Sequence, residues 1–203
     1  NTPEAEFGLM FSPDGKQVTF LRAGKLMRMD PDGTNEKALV ASGQVFDYEW
    51  SPDGRWLAYA RMDGSFASEL FIIPATGASA KEPARNITRF ATYNGGVTWS
   101  QTGNKLGFIS SRKGGVFGVH VLSLQEPAAK GIFPSKDIDW DNIHLRVKQP
   151  APGMISNECA ISNDGTRIAF RADVDGSEDL WLANADGGSV TRLTTGHLQP
   201  TQI

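Results

Sequence analysis

The chain carries the stretch Trp50-Ser51-Pro52-Asp53-Gly54, and near copies of it occur at three other places. These copies are Phe11-Ser12-Pro13-Asp14-Gly15, Trp99-Ser100-Gln101-Thr102-Gly103 and Ile161-Ser162-Asn163-Asp164-Gly165. Pro suits the second position of a type I turn, Asp tolerates the conformation after it, and Gly takes the left-handed position that makes a bulge. Since an apolar run ends before each copy and another begins after it, the pattern predicts four β-hairpins. The predicted turn residues, with positive φ at the glycines, are Asp14, Gly15, Asp53, Gly54, Gly103, Asp164 and Gly165.

Two further strands follow each hairpin. In the first unit they are residues 25–30 and 37–39, and in the fourth unit residues 179–184 and 190–194. Short alternating apolar segments separated by Asp-Gly turns are typical of antiparallel meanders, and four such strands in each repeat are typical of a propeller blade. The sequence therefore predicts an all-β fold, a β-propeller segment of four four-stranded antiparallel blades that is part of a larger propeller.

The predicted blade boundaries follow from the unequal spacing of the turns. We expect one propeller segment over residues 1–203, with an insertion between the third and fourth blades and the start of a further blade at the end. The blades are expected at about 4–40, 44–90, 94–127 and 155–195, the insertion at 128–154, and the further blade at 197–203.

Composition narrows the classes of partner. The 203 residues carry a formal net charge of −3, and no basic stripe is visible, which argues against binding of a nucleic-acid backbone. The longest apolar run is far shorter than the roughly 20 residues that a membrane-spanning helix needs, so no membrane span is predicted. With 39% hydrophobic residues, the chain has the composition of an ordinary globular protein.

Few residues are candidates for a catalytic or metal-binding role. His120, His144 and His197 lack metal-ligand spacing, and the single cysteine, Cys159, is interpreted as a small core residue. The acidic segment 173–179 is interpreted as a solvated turn in preference to a calcium loop. The alternating residues Asp137, Asp139 and Asp141 have two interpretations. They could supply a carboxylate pair for general acid–base catalysis, or they could belong to a linker that joins blades, which is the preferred interpretation. No catalytic residue, metal or cofactor is predicted.

With these repeats, the chain resembles the WD-like propeller proteins of the TolB and tricorn superfamily. The resemblance is carried by the four turns, by Ile168-Ala169-Phe170 and Asp179-Leu180-Trp181-Leu182, and by the closing Arg192-Leu193-Thr194. The segment 137–147 reads Asp-Ile-Asp-Trp-Asp-Asn-Ile-His-Leu-Arg-Val, which is similar to a linker in the propeller of bacterial tricorn-like serine peptidases.

The resemblance implies a non-catalytic module that binds or gates peptide or protein substrates for a tricorn-like serine peptidase. The alternative is a TolB-like scaffold that mediates protein–protein interaction, and an enzyme acting within the propeller is a third hypothesis. The implied partners are a peptide or protein ligand and the remaining blades and catalytic domains of a parent chain, with self-association of the fragment as a further possibility. Family resemblance favours a periplasmic or secreted location over a cytoplasmic one.

A ligand-binding rim is predicted from blade geometry. The loops that enter the inner strands surround the mouth of the channel in a propeller, and residues there are expected to contact a ligand. The predicted rim residues are Glu6, Asp47, Tyr93, Asn94, Asn157 and Glu158.

Overall fold

The structure is a computed structural model that describes residues 4–126 and 137–195. These residues form sixteen short strands. They form four separate sheets of four antiparallel strands each, and within each sheet the strands follow one another in chain order. This arrangement confirms the predicted all-β fold, in which each sheet is one blade.

The first two blades are continuous meanders of four strands each. The first blade comprises β1 (Glu6–Phe11), β2 (Val18–Arg22), β3 (Lys25–Met29) and β4 (Lys37–Val40). The second blade comprises β5 (Gln44–Trp50), β6 (Trp56–Met62), β7 (Ser68–Pro74) and β8 (Arg85–Asn86).

The third and fourth blades have the same meander. The third comprises β9 (Asn94–Trp99), β10 (Lys105–Lys113), β11 (Val116–Ser123) and β12 (Val147–Lys148). The fourth comprises β13 (Ile155–Ile161), β14 (Arg167–Val174), β15 (Ser177–Asn184) and β16 (Val190–Arg192). The predicted further blade at 197–203 lies outside the described residues.

The outer strand of the third blade corrects the predicted boundaries. That strand is β12, which lies inside the segment 128–154 that the sequence assigned to the insertion. Val147 pairs with Leu122 of β11, and Lys148 pairs with Val121. The strand that pairs with the edge of β11 therefore lies near the end of the predicted insertion in the sequence. Strands pair when they are close in space, whether or not they are close in sequence.

The repeated turns have the predicted chemistry. Gly15, Gly54, Gly103 and Gly165 have φ values of 71°, 69°, 72° and 70°. In each turn the glycine N–H donates to the carbonyl of the serine three residues earlier. In three copies the serine hydroxyl also donates to the turn aspartate, whereas Ser100 bonds to Asn104 at 3.0 Å, so Asn104 substitutes for the aspartate that the third copy lacks.

Consecutive blades are joined by three clusters of buried apolar residues. One cluster joins the first and second blades around Tyr59, the next joins the second and third around Phe108, and the last joins the third and fourth around Phe170. Within the described ranges, no cluster of buried residues joins the first blade to the fourth. β1 instead exposes the side chains of Phe7, Leu9 and Phe11.

Part of the insertion crosses the boundary between the second and third blades. Asp137 forms an ion pair with Arg55 at 2.8 Å, and the Trp140 ring lies 5.4 Å from the ring of Trp56, both residues of the second blade. Ile143 begins a 3-10 helix (Ile143–Arg146) and is buried in the cluster between these blades, while Arg146 Nε donates to the carbonyl of Ser123 in β11. These contacts support the linker interpretation of the acidic segment.

Candidate binding surface

The meander topology separates two ends of the blades. The Ser-Pro-Asp-Gly turns lie at one end, which we call the turn face. The β2–β3-type hairpins and the connections from each blade to the next lie at the other end, which we call the crossover face. Because successive strands are antiparallel, every blade presents the same kind of loop at the same end.

Large apolar side chains are exposed on the crossover face of the second and third blades. We call the group Phe66, Phe90, Tyr93, Val116 and Phe117 the crossover patch. Phe66 is 83% exposed, Phe90 48% and Phe117 43%, and the Tyr93 ring lies 5.1 Å from the ring of Phe117. Exposed apolar groups of this kind are typical of surfaces that bind proteins or ligands.

Hydrogen bonds hold the segments of the crossover patch side by side. Ser68 N donates to the carbonyl of Thr92 at 2.8 Å, which fixes the β6–β7 turn against the connection between the second and third blades. On the other side, the Thr92 and Ser111 hydroxyls are 2.5 Å apart, and Ser111 N donates to the carbonyl of Tyr93. The connection is therefore fixed between β7 and the end of β10.

Phe66 is held in a backbone conformation that is unfavourable for its residue type. Its φ is 64°, in the left-handed region where a Cβ costs about 1–2 kcal/mol. The turn around it is tightly bonded, since Asp63 Oδ1 accepts hydrogen bonds from both the backbone and the hydroxyl of Ser65. An exposed aromatic residue whose backbone is held at positive φ is difficult to explain by stability alone.

The predicted rim residues fall into separate groups. Tyr93 belongs to the crossover patch, and Asn94 lies beneath it, fully buried, where its side-chain amide donates to the carbonyl of Ser68 at 2.6 Å. Glu6 forms an ion pair with Arg22 at 2.5 Å on the first blade.

The remaining rim residues lie on the inner strands of the second and fourth blades, β5 and β13. Asn157 accepts a hydrogen bond from Arg171 at 3.2 Å on the fourth blade, and Glu158 lies 3.8 Å from the same guanidinium. Asp47, on β5, faces the third blade. The structure thus divides the predicted rim: Tyr93 and the buried Asn94 adjoin the crossover patch, whereas Asn157 and Glu158 meet at Arg171 of the fourth blade.

Asp47 belongs to a contact between inner strands that the sequence did not reveal. The inner strand of each blade is its first strand, and all four of these strands have a one-residue bulge (β1, β5, β9 and β13). At the bulge of β9, the Val97 N–H donates to Asp47 Oδ2 at 2.8 Å. Burial raises the pKa of Asp47, although hydrogen bonds from the Val97 and Gly96 amides oppose that shift. This carboxylate therefore joins the second blade to the third.

Glu49 and Cys159 continue this contact, which we call the inner seam. Burial raises the pKa of Glu49 to about 7, with a hydrogen bond from the Trp99 amide opposing the shift and the nearby charge of Asp47 adding to it. The thiol of Cys159 lies 3.7 Å from the carbonyl of Gly96, and burial together with the carboxylates of Asp47, Glu158 and Glu49 raises the pKa of the thiol. A thiol in this environment stays protonated and is a poor nucleophile.

Replacing Asp47 tests whether its carboxylate stabilises the contact between the second and third blades. We expect Asp47→Ala to lower the free energy of unfolding by about 1–3 kcal/mol, because the Val97 and Gly96 amides lose their buried acceptor. Asp47→Asn retains an oxygen acceptor and should cost less than half as much. Urea unfolding of both variants measures the difference, and equal losses would contradict the seam role.

The crossover face also has a cavity of about 230 Å³ beside Phe90. Its walls are formed by Phe90, Arg112, Lys113, His120, Val147, Lys148 and Gln149. Burial lowers the pKa of Arg112, and it lowers the pKa of His120 to about 4. The imidazole is therefore neutral at physiological pH.

Two larger clefts lie on the turn face, between the turns of neighbouring blades. The cleft between the first and second blades has a volume of about 530 Å³, and that between the second and third about 320 Å³. Both are lined by the Ser-Pro-Asp-Gly turns or their equivalents. Because they recur from blade to blade, they follow from the repeat itself.

The other acidic candidates have structural partners. Asp139 contacts Arg146 within the insertion, and the fully buried Asp179 accepts hydrogen bonds from Ser177 and Arg192. Among the described residues, no three His, Cys, Asp or Glu side chains are grouped so that they could hold a metal ion. In the described part of the chain, no helix is long and apolar enough to cross a membrane.

Sequence reasoning missed Phe66, Phe90, Arg112 and Phe117. The signal for Phe66 was present, because an aromatic residue follows the turn-forming residues Asp63-Gly64-Ser65. Phe90, Arg112 and Phe117 belong to separate segments, and nothing local in the sequence indicates that these segments meet.

Four blades that pack in chain order define the class of this chain as a β-propeller. Comparison with solved structures agrees: a putative TolB from Agrobacterium tumefaciens superposes with a TM-score of 0.71 at 22% identity, over 96% of this chain and 64% of that one. TolB from Acinetobacter baumannii gives a TM-score of 0.66 at 15% identity, over 94% of this chain and 44% of that one. A puromycin hydrolase gives 0.64 at 18% identity, over 98% and 30%.

Among curated proteins, the chain is similar to an uncharacterized protein of Agrobacterium fabrum, Atu1656. The two are 24% identical over 197 residues, which cover 95% of this chain and 59% of that protein. The chain thus spans about three fifths of the length of this relative. No model of a known protein family matches the chain. The comparisons show the propeller fold.

Proposed function

We propose that this chain is a non-catalytic propeller module that binds a peptide or a segment of a partner protein on its crossover face. The observation that carries the proposal is Phe66, an exposed aromatic ring held at positive φ on a tightly bonded turn. Aromatic residues of this kind dominate the energetics of protein interfaces, and a rigid turn lowers the entropic cost of binding.

The surroundings of Phe66 support a binding surface. Phe90, Tyr93, Val116 and Phe117 add apolar area on neighbouring segments, and hydrogen bonds fix those segments in place. The titrating groups of the inner seam do not support a catalytic alternative, because Glu49 and Asp47 are engaged by backbone amides of the next blade. The fold of the TolB structures is compatible with such a scaffold.

The test is to select peptides from a random phage-displayed library on the immobilised chain, then measure their affinity for variants. Phe66→Asn is expected to weaken binding about tenfold or more, because it removes a central aromatic contact. Asn tolerates the left-handed conformation, so the free energy of unfolding should stay equal or rise by about 1 kcal/mol. The loss of affinity then cannot come from unfolding.

A matched control is available on the opposite face. Leu145 is 70% exposed in the insertion, and Leu145→Asn removes an exposed apolar side chain from the turn face. We expect Leu145→Asn to leave the affinity unchanged. Selected peptides that bind Phe66→Asn as well as the original chain, or that lose affinity only for Leu145→Asn, would contradict the proposal.

A second candidate function is that of a substrate gate for a peptidase domain. It is favoured by the similarity of fold to a puromycin hydrolase, of which this chain covers 30%, and by the resemblance of segment 137–147 to the linker of tricorn-like peptidases. The same crossover face would then meet the substrate. A longer parent sequence that encodes a serine peptidase domain would favour the gate over the scaffold.

A further inference from the structure

The cavity beside Phe90 lies at the edge of the crossover patch. Phe90 is shared by both, and Lys113 pairs across the β10–β11 hairpin with Val116 of the patch. A segment that covers the patch therefore passes over the mouth of this cavity. What the cavity could accept depends on the polar groups in its walls.

Arg112 is a half-buried cation with few partners. Its Nη2 donates to the carbonyl of Thr88 at 3.1 Å, and its guanidinium lies 5.1 Å from the centre of the Phe90 ring. Its Nε is buried and has no hydrogen-bond partner among the described residues. Within residues 4–126 and 137–195, no carboxylate forms an ion pair with Arg112.

Glu69 is the carboxylate whose charge acts on Arg112, but its hydrogen bonds go to other residues. Glu69 Oε2 accepts hydrogen bonds from the Thr88 hydroxyl at 2.6 Å and from the Phe90 amide at 2.9 Å. Removing a cation from water without an anionic partner is costly, and an anion bound beside Arg112 would offset that cost.

His120 supplies a hydrogen-bond acceptor in the same wall. The residue is 1% exposed, and its Nδ1–H donates to the carbonyl of Gly118 at 2.9 Å. This bond fixes the tautomer, so Nε2 carries a lone pair. In the part of the chain that the structure describes, this buried Nε2 has no hydrogen-bond partner. The other ionisable residues that line the cavity, Lys113 and Lys148, are cationic. Lys148 also forms an ion pair with Asp186 at 3.1 Å.

We propose that this cavity binds the carboxylate of an acidic residue or of a C-terminus in the segment that covers the crossover patch. The carboxylate accepts hydrogen bonds from the guanidinium of Arg112 and is attracted by Lys113, while an amide N–H of the same segment donates to His120 Nε2. The ligand thus needs an anionic group, an adjacent N–H and an apolar neighbour for Phe90. The proposal rests on the proposed function, because it names the chemistry of the peptide that this surface takes.

The test uses three short probes on the 203-residue chain. The probes are Ac-Phe-Glu-NH2, the neutral Ac-Phe-Gln-NH2, and Ac-Phe-Gln with a free C-terminal carboxylate, and binding is measured by NMR titration at constant ionic strength. A charge-assisted hydrogen bond contributes enough that the neutral probe should bind about tenfold or more weakly than at least one acidic probe. The tighter of the two acidic probes shows whether a side chain or a C-terminus is preferred.

Two variants assign the discrimination to the cavity. Arg112→Gln should remove most of the discrimination between the acidic and neutral probes. Lys113→Gln, which changes an exposed side chain and is expected to fold normally, should reduce the discrimination by a smaller factor. Arg167→Gln removes the same charge at the turn end of β14 and should change nothing.

The possible failures of the two proposals differ. Equal binding of all three probes to the original chain would overturn this inference and leave the peptide-binding proposal standing. Discrimination that survives in both Arg112→Gln and Lys113→Gln would also overturn it. If no probe binds at millimolar concentration and no displayed peptide is enriched, both proposals fail together.

Discussion

Replacing Phe108 by alanine is expected to lower the free energy of unfolding by about 3–5 kcal/mol. Phe108 is fully buried in the cluster between the second and third blades, and its ring lies 5.7 Å from the imidazole of His120. Truncation removes the transfer free energy of the ring and leaves a cavity in a sheet interface that the flanking strands hold open. Urea unfolding followed by tryptophan fluorescence measures the loss.

Phe117→Ala is the matched control for this prediction. Phe117 lies on β11, the neighbouring strand of the same blade, but it is exposed on the crossover face. We expect a loss below about 1 kcal/mol, because little apolar area returns to water. A loss for Phe108→Ala no greater than that for Phe117→Ala would show that the interface between these blades does not stabilise the fold as the structure implies.

Replacing Glu49 by glutamine is expected to stabilise the protein at alkaline pH and to have little effect at acidic pH. Burial raises the pKa of Glu49 from its usual value of 4.5 to about 7. The folded protein therefore holds a proton on this carboxyl at pH values where the unfolded chain has released it. By linkage, the stability contributed by the protonated carboxyl is full below about pH 4.5 and is lost as the pH rises towards 7.

Glutamine cannot ionise, so the variant avoids this loss. We expect Glu49→Gln to be more stable than the original chain by about 2 kcal/mol at pH 8, after allowance for the partial exposure of the side chain. The measurement is the difference in free energy of unfolding between the two proteins from pH 4 to pH 8. A difference that is constant with pH, or that grows towards low pH, would contradict the burial of Glu49 in the inner seam.

The blades themselves were predictable because their signals are local. Pro52, Asp53 and Gly54 determine a turn through their own dihedral preferences, and the apolar runs on either side supply the paired strands. Even the third copy, which lacks Pro and Asp, folds the same way, because Gly103 takes the left-handed position and Asn104 bonds to Ser100. The repetition of these local signals was enough to predict the propeller fold.

The outer strand of the third blade was not predictable in this way. Its two residues, Val147 and Lys148, have no turn signal that marks them as a strand, and the inserted segment separates them from the rest of their blade. Their pairing with β11 is a non-local contact, which sequence periodicity does not encode. The same limit applies to Asp47, whose role depends on the bulge of a strand in the next blade.

The local chemistry of the sequence by itself determined the turns, the strands and their number in each blade. Only the tertiary structure decided which side chains meet. The packing of blade on blade brings Phe66, Phe90 and Phe117 to one face, and among the described residues it leaves the half-buried Arg112 without an ion-pair partner. The physical reason is that turn and strand preferences act between close neighbours in the chain. Burial, pKa shifts and surface patches arise from contacts between segments that lie far apart in sequence.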